Sequence, residues 1–176
     1  SVCIVLETES EAERRGTSPY AKFIGWGQGS DGHNVAISHP EGRGLRRAMS
    51  NALIDAKISP SDIDYVNAHA PSTSIGDASE MKALKATFPL PQKVLVSSTK
   101  PLTGHGLSLS SIMEAAFCCV AMKDQFLPGS AHVQNPDPEL GHLELLQESK
   151  DYAVNRILSN SSGFGGANVS VIFEKV

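Results

Sequence analysis

Short continuous apolar runs take turns along this chain with stretches in which apolar residues recur every three or four positions. The runs at 2–7 (VCIVLE), 21–30 (AKFIGWGQGS), 63–69 (IDYVNAH) and 94–98 (VLVSS) read as strands, and 157–162 (ILSNSS) and 167–176 (ANVSVIFEKV) as two closing strands. Glycines within 21–30 are expected to invite bends. Helical spacing is clear in Leu45, Met49, Ala52, Leu53 and Ala56, which make one stripe. A second helix is expected from Asp77, where Asp77 and Glu80 stand at capping-box spacing. Its apolar face is Met81, Leu84 and Phe88, and PLPQ (89–92) breaks it. The longest helix, 108–123, has a broad apolar face (Leu109, Ile112, Met113, Ala116, Phe117, Val120), and Ala115, Cys118, Cys119 and Ala121 leave little of it polar. A helix apolar nearly all round is expected to be buried. EAERRG (11–16) reads as a short polar helical turn stopped by Gly16.

The resulting order is strand, strand, helix, strand, helix, strand, helix, strand, strand. It predicts an α/β fold, a mixed and mainly parallel sheet covered by helices. Length points the same way: 176 residues suit one sizeable core, so 1–176 reads as one domain. Charge removes one class of function, since a formal net charge of −4 with no basic run longer than a pair gives no footing for nucleic acid. No apolar stretch reaches transmembrane length. The three cysteines, Cys3, Cys118 and Cys119, offer neither zinc-ligand spacing nor a disulfide framework, so no metal is expected and a reducing compartment fits. SVCIVLETES has no basic lead or cleavage pattern, and its abrupt apolar opening reads as the middle of a longer protein.

Candidate chemistry sits in three loops, each after a predicted strand: AHAPSTSIGD (68–77), SSTKPLTGH (97–105) and SNSSGFGGAN (159–168). In α/β folds, sites gather at the carboxyl ends of strands, so His69 and His105 are expected to converge on one pocket. His33, His39, His132 and His142 lie in polar turns and read as surface residues. GFGG (163–166) fits neither a P-loop nor a dinucleotide fingerprint. Spacing alone yields a pocket with two histidines, a lysine and a glycine-rich loop.

Together, VNAHAPSTSIGD (66–77), SSTKPLTGHGLSLSSIME (97–114) and NSSGFGGAN (160–168) resemble the C-terminal half of a β-ketoacyl-acyl-carrier-protein synthase. These are elongating condensing enzymes of thiolase-like fold, whose pattern reads VNAHGTST-x-x-GD, SSTK-x-x-TGH-x-x-GAAG-x-x-E and NSFGFGG-x-N. The resemblance implies a decarboxylative Claisen condensation of a malonyl thioester with an acyl thioester, in fatty-acid or polyketide synthesis. It implies that His69 and His105 hold the malonyl thioester carbonyl, with Lys100 supporting the second histidine's environment and Glu114 as the lysine's acidic partner. Phe164 resembles a gating residue whose amide joins an oxyanion hole. Thr73, with Ser72, Gly163 and Gly165, is implied to meet the substrate, and Asp77 and Asn160 to support the site.

The implied substrates ride on the phosphopantetheine of acyl-carrier protein, and no cofactor or metal is expected. The family's nucleophilic cysteine lies in an N-terminal half that this chain lacks; Cys118 and Cys119 read as inert core thiols. That half, the carrier protein and a second copy in a homodimer are the implied partners. A bacterial cytoplasm fits, and a plastid or mitochondrial matrix would look the same. The alternative is a non-catalytic partner subunit of the chain-length-factor kind, against which both retained histidines argue. Three departures bear on specificity. Ala70-Pro71 replaces Gly-Thr, and Pro71 is expected to push Ala70 toward extended geometry. Ser108–Ser111 replaces GAAG, and Ser162 stands where a phenylalanine is usual.

Overall fold

The computed structural model describes residues 1–176. Along the chain run α1 (Glu9–Arg15), β1 (Lys22–Ser30), α2 (Arg43–Ala56), β2 (Tyr65–Asn67), α3 (Ser74–Thr87), β3 (Leu95–Ser97), α4 (Lys100–Thr103) and α5 (Ser110–Asp124). The short strands β4 (Phe126–Leu127), β5 (Glu144–Leu145) and β6 (Lys150–Asp151) follow, then β7 (Arg156–Gly163) and β8 (Ala167–Glu174). Six strands form one sheet in the order β1-β8-β7-β2-β3-β5. The pairs β7–β2, β2–β3 and β3–β5 are parallel; β1–β8 and β8–β7 are antiparallel. This is the mixed, mainly parallel sheet expected.

Period-two alternation divides the core into two layers. Val66, Val96, Leu158 and Ile172 point to one face, where Leu45, Met49, Ala52 and Leu53 of α2 and Met81 and Leu84 of α3 cover them. Their neighbours Tyr65, Leu95, Ile157 and Phe173 point to the other face, against Ala115, Cys118, Ala121 and Met122 of α5. Each fully buried aliphatic side chain contributes roughly 1.5–3 kcal/mol.

The glycines of β1 do something other than bend it. Gly25, Gly27 and Gly29 alternate on the face under α2, and a Cβ at Gly25 would lie 2.7 Å from Ala52 O. Cβ atoms at Gly27 and Gly29 would overlap Ala48 O and Gly44 O. The helix backbone lies directly on the strand.

Three further expectations are corrected. Residues 2–7 form no strand: Val5 and Leu6 are exposed and only Ile4 packs on the core, because no neighbouring strand supplies backbone partners. α5 is covered on one face only, leaving Ile112 and Val120 exposed. α3 starts at Ser74, not Asp77, with Thr73 as its N-cap. Asp77 still reaches back to a helix-start amide, accepting from Thr73 N at 3.2 Å, but Glu80 turns inward.

Candidate active site

The strands β7, β2 and β3 are parallel, so the segments that follow them leave the sheet at one end. His69 follows β2, Lys100 and His105 follow β3, and Phe164 follows β7. The expected convergence is what the fold produces. His69, His105, Thr73 and Phe164 line a cleft of about 910 Å³, which Gly163 also lines.

The His69 and His105 rings meet edge to face, with centroids 5.3 Å apart. His105 Nδ1 accepts the Leu107 amide at 3.0 Å and lies 3.2 Å from Ser110 Oγ. An accepting Nδ1 carries no proton, so the ring's N–H is at Nε2. The ring stands between α4 and the turn Leu107–Leu109 that leads into α5. His69 is buried, and its Nδ1 has no partner. Burial first, then the Lys100 charge and His105, push its imidazole down to about 3. It is therefore neutral at any ordinary pH, a donor that adds no charge.

Beneath the histidines lies a buried ionic pair. The Lys100 ammonium donates to Glu114 Oε1 of α5 and to the carbonyl oxygen of His69. Both side chains are almost entirely shielded from solvent. Burial raises Glu114 above the usual carboxylate range, and Lys100 opposes this through its hydrogen bond and charge. The resemblance assigned Lys100 to the surroundings of the second histidine; its ammonium is instead bonded to the backbone of the first. A single cation thus ties β2's exit to α5.

Glu80 went unrecognised as a site residue. Its carboxylate accepts from His69 N at 3.0 Å, Ala70 N at 2.7 Å and Asn160 Nδ2 at 3.2 Å. Asn160 in turn accepts from Ser170 Oγ at 2.7 Å, which links β8 through β7 to the Glu80 carboxylate. Burial raises the Glu80 pKa, and the three donors oppose that. Its signal in the sequence was a polar residue beside the apolar face of α3, which capping-box spacing explained away.

The Glu80 clamp also explains Ala70. Pro71 does not hold it extended: Ala70 has φ 26 and Ser72 φ 67. Two successive amides bonded to one carboxylate turn the chain into the left-handed region, which is strained for residues with a Cβ.

The glycine loop is moored as well. Gly165 N donates to Val35 O at 2.6 Å, and Ser162 Oγ donates to Asn168 Oδ1 at 2.7 Å. Asn168 Nδ2 reaches Asp31 Oδ1 at 3.1 Å. Phe164 projects from this loop with 83% of its surface exposed. Gly165 has φ 81, a conformation that favours glycine.

Elsewhere, His33 and His132 are surface residues, whereas His39 and His142 are half-buried and bonded. His39 Nδ1 accepts the Glu41 amide at 3.0 Å, and His142 Nε2 lies 2.6 Å from Phe88 O. Cys118 is buried, and burial raises its thiol pKa, so it is no nucleophile; Cys3 is exposed at the chain start. No group of three or more His, Cys, Asp and Glu side chains is placed to hold a metal. No helix is long and apolar enough to cross a membrane.

Comparison with known proteins bears on this geometry. Residues 20–134 match the family described as beta-ketoacyl synthase, C-terminal domain. The 3-oxoacyl-(acyl-carrier-protein) synthase 2 of Staphylococcus aureus strain COL is 40% identical over 173 residues, 98% of this chain and 42% of the relative. Its counterpart from Coxiella burnetii is 34% identical over 177 residues, covering 100% of this chain and 43% of the relative. A β-ketoacyl synthase structure from Burkholderia phymatum superposes with a TM-score of 0.90 at 33% identity, covering 97% of this chain and 41% of that one. A complex of a type II polyketide acyl-carrier protein with its hexaketide-bound ketosynthase gives 0.92 at 28% identity, covering 97% and 42%. The chain spans about two fifths of the length of the curated relatives it matches.

Proposed function

This chain belongs to the β-ketoacyl synthase C-terminal domain family, and from that premise we propose that it supplies the decarboxylating half of a condensing-enzyme site. The observation that carries the reading is the pair His69 and His105, 5.3 Å apart in one cleft. Malonyl-acyl-carrier protein places its thioester carbonyl between the two rings. The bond from C2 to the carboxylate breaks, CO2 leaves, and the electron pair moves into a thioester enolate. Ring N–H donors aimed at the enolate oxygen stabilise charge where it develops, and losing one such donor lowers the rate by about 10²–10³. A protonated His69 would hold the carboxylate in its ground state instead, so its depressed pKa serves the step. The enolate carbon then attacks an acyl thioester, forming the new C–C bond and releasing the thiolate that carried the acyl group. That thiolate is a cysteine of an N-terminal half, and the product is longer by two carbons.

In this reading Lys100, Glu114, Glu80, Asn160 and Asp77 act as positioning residues. Thr73 and Ser72 meet the pantetheine arm, and Phe164 gates the cleft with Gly163 and Gly165 giving it room to swing. Partners are acyl-carrier protein, the N-terminal half and a second copy, in a bacterial cytoplasm. The apolar surface left open on the α5 side supports the second partner. Substrates arrive on phosphopantetheine, with no metal or cofactor in the step.

The test is CO2 release from malonyl-acyl-carrier protein by the longer protein containing this chain. His69→Ala and His105→Ala are each expected to lower it at least 100-fold. Wild-type protein that binds the carrier and releases no CO2 would overturn this reading and favour the partner-subunit role.

A further inference from the structure

Ser110 heads the buried stripe of α5. It is 2% exposed, while Ser108 and Ser111 nearby are open to solvent. Along the same face, at steps of four residues, stand Glu114 and Cys118, both buried. A hydroxyl so placed needs a partner. Ser110 finds it in the ring of His105, with Oγ 3.2 Å from Nδ1, and its side chain makes no other hydrogen bond.

The backbone decides which atom donates. Leu107 N already donates to Nδ1 at 3.0 Å, so Nδ1 offers a lone pair and the Ser110 hydroxyl is a second donor to it. Leu107 reaches the ring by entering the left-handed region, with φ 54. That conformation is costly for a residue with a Cβ, and it persists where surrounding contacts over-determine it. Residues 105–110 thus close around one edge of the imidazole. Nε2 carries the N–H on the other edge, in a ring that lines the cleft.

The same helix face holds the other histidine. Glu114, one turn beyond Ser110, accepts from Lys100, whose ammonium also donates to the carbonyl oxygen of His69. One stripe of α5 therefore carries a grip on each histidine. Ser110 stands at the second alanine of the pattern GAAG, a residue with no hydroxyl to offer.

We propose that Ser110 is a positioning residue of this site, fixing the tautomer and the tilt of His105 so that Nε2–H is presented to the reacting carbonyl. The benefit to catalysis rests on the condensing reading above. A nitrogen that accepts hydrogen bonds polarises the N–H across the ring, so Nε2 donates more strongly as charge develops on the enolate oxygen.

The experiment uses the longer protein containing this chain, isotopically labelled at histidine nitrogen for magnetic resonance. The His105 signals are identified by their loss in His105→Gln. In wild type, Nδ1 is expected to resonate as an unprotonated, hydrogen-bonded nitrogen and Nε2 as a protonated one. Ser110→Ala should move the Nδ1 signal toward that of a free imidazole nitrogen. It should also lower kcat for CO2 release from malonyl-acyl-carrier protein about fivefold, the rate equivalent of one neutral hydrogen bond, with KM unchanged. Ser110→Cys nearly keeps the size and weakens the donor, so it should follow Ala. Alanine is a strong helix former, and circular dichroism checks that both variants fold. Wild-type signals and rates in Ser110→Ala would overturn the proposal. So would a loss in Ala that Cys restores, since packing and not the hydroxyl would then be the cause. Wild-type protein that releases no CO2 counts against the condensing reading, while the nitrogen signals still decide whether Ser110 holds His105.

Discussion

His69 concentrates the electrostatics of the site in one side chain. Its imidazole is lowered from 6.5 to about 3 by burial, Lys100 and His105. The unfolded chain therefore binds one more proton than the folded chain between those values, so stability rises with pH across that window. The contribution is complete above 6.5 and is lost as pH falls toward 3. His69→Gln is expected to shrink the fall in Tm on acidification from about pH 7 to pH 4, measured by thermal melts. Lys100 and Glu114 make a separate prediction. Lys100→Met or Glu114→Leu alone strands a buried charge and should cost about 3–5 kcal/mol by urea denaturation. The double variant should recover part of that loss; additive losses would show that the two groups do not act as a pair. Glu80→Gln replaces a charged acceptor with a weaker one at two loop amides. A loss of roughly 1.5–3 kcal/mol and slower CO2 release are expected, and Ala70→Gly in the same background should return part of the stability by relieving φ strain.

At the scale of elements, the closest fit is between α2 and β1. Three alternate glycines let a helix backbone rest on a strand, and Ala48 and Ala52 on the helix are fully buried there. Gly27→Ala must push α2 outward or bend β1, and is expected to cost about 1–3 kcal/mol in a denaturant titration. Gly32→Ala is the comparison: open space surrounds it, so only its φ of 56 resists the change. Equal losses at the two positions would dismiss the close-approach account.

For the molecule as a whole, the two faces of the sheet are unequal. The face under α2 and α3 is closed, while Phe23, Trp26, Ile112, Val120 and Val169 leave an apolar surface open on the α5 side. Exposed apolar side chains gathered on one face are what an interaction surface presents. Trp26 is the sole tryptophan and is 51% exposed. Its emission in the isolated chain should be red-shifted and readily quenched by acrylamide. If the proposed N-terminal half packs on this face, adding it should shift the emission to the blue, and an unchanged spectrum would place the covering surface elsewhere.

Local pattern was enough to determine β1, β2, β3, β7 and β8, the helices α2, α3 and α5 between them, and the placement of His69, His105 and Phe164 after strands; the short strands β4, β5 and β6 carry too little pattern to be read. The readable elements depend on periods of two and 3.6 residues and on loop chemistry, which neighbouring residues carry by themselves. The resemblance of three motifs added the pairing of Lys100 with Glu114. Only the tertiary structure decided that Lys100 is bonded to the first histidine's carbonyl, that Glu80 leaves its helix cap to clamp residues 69 and 70, and that Ala70 turns left-handed in spite of Pro71. It also decided that β1's glycines are a seat for α2, and that residues 2–7 lack a strand partner. Each depends on a group distant in the chain: a carboxylate meeting an amide from another element, a backbone lying on a glycine, or a neighbouring strand that is not there. Periodicity records what a residue prefers, and the fold determines which partner it meets.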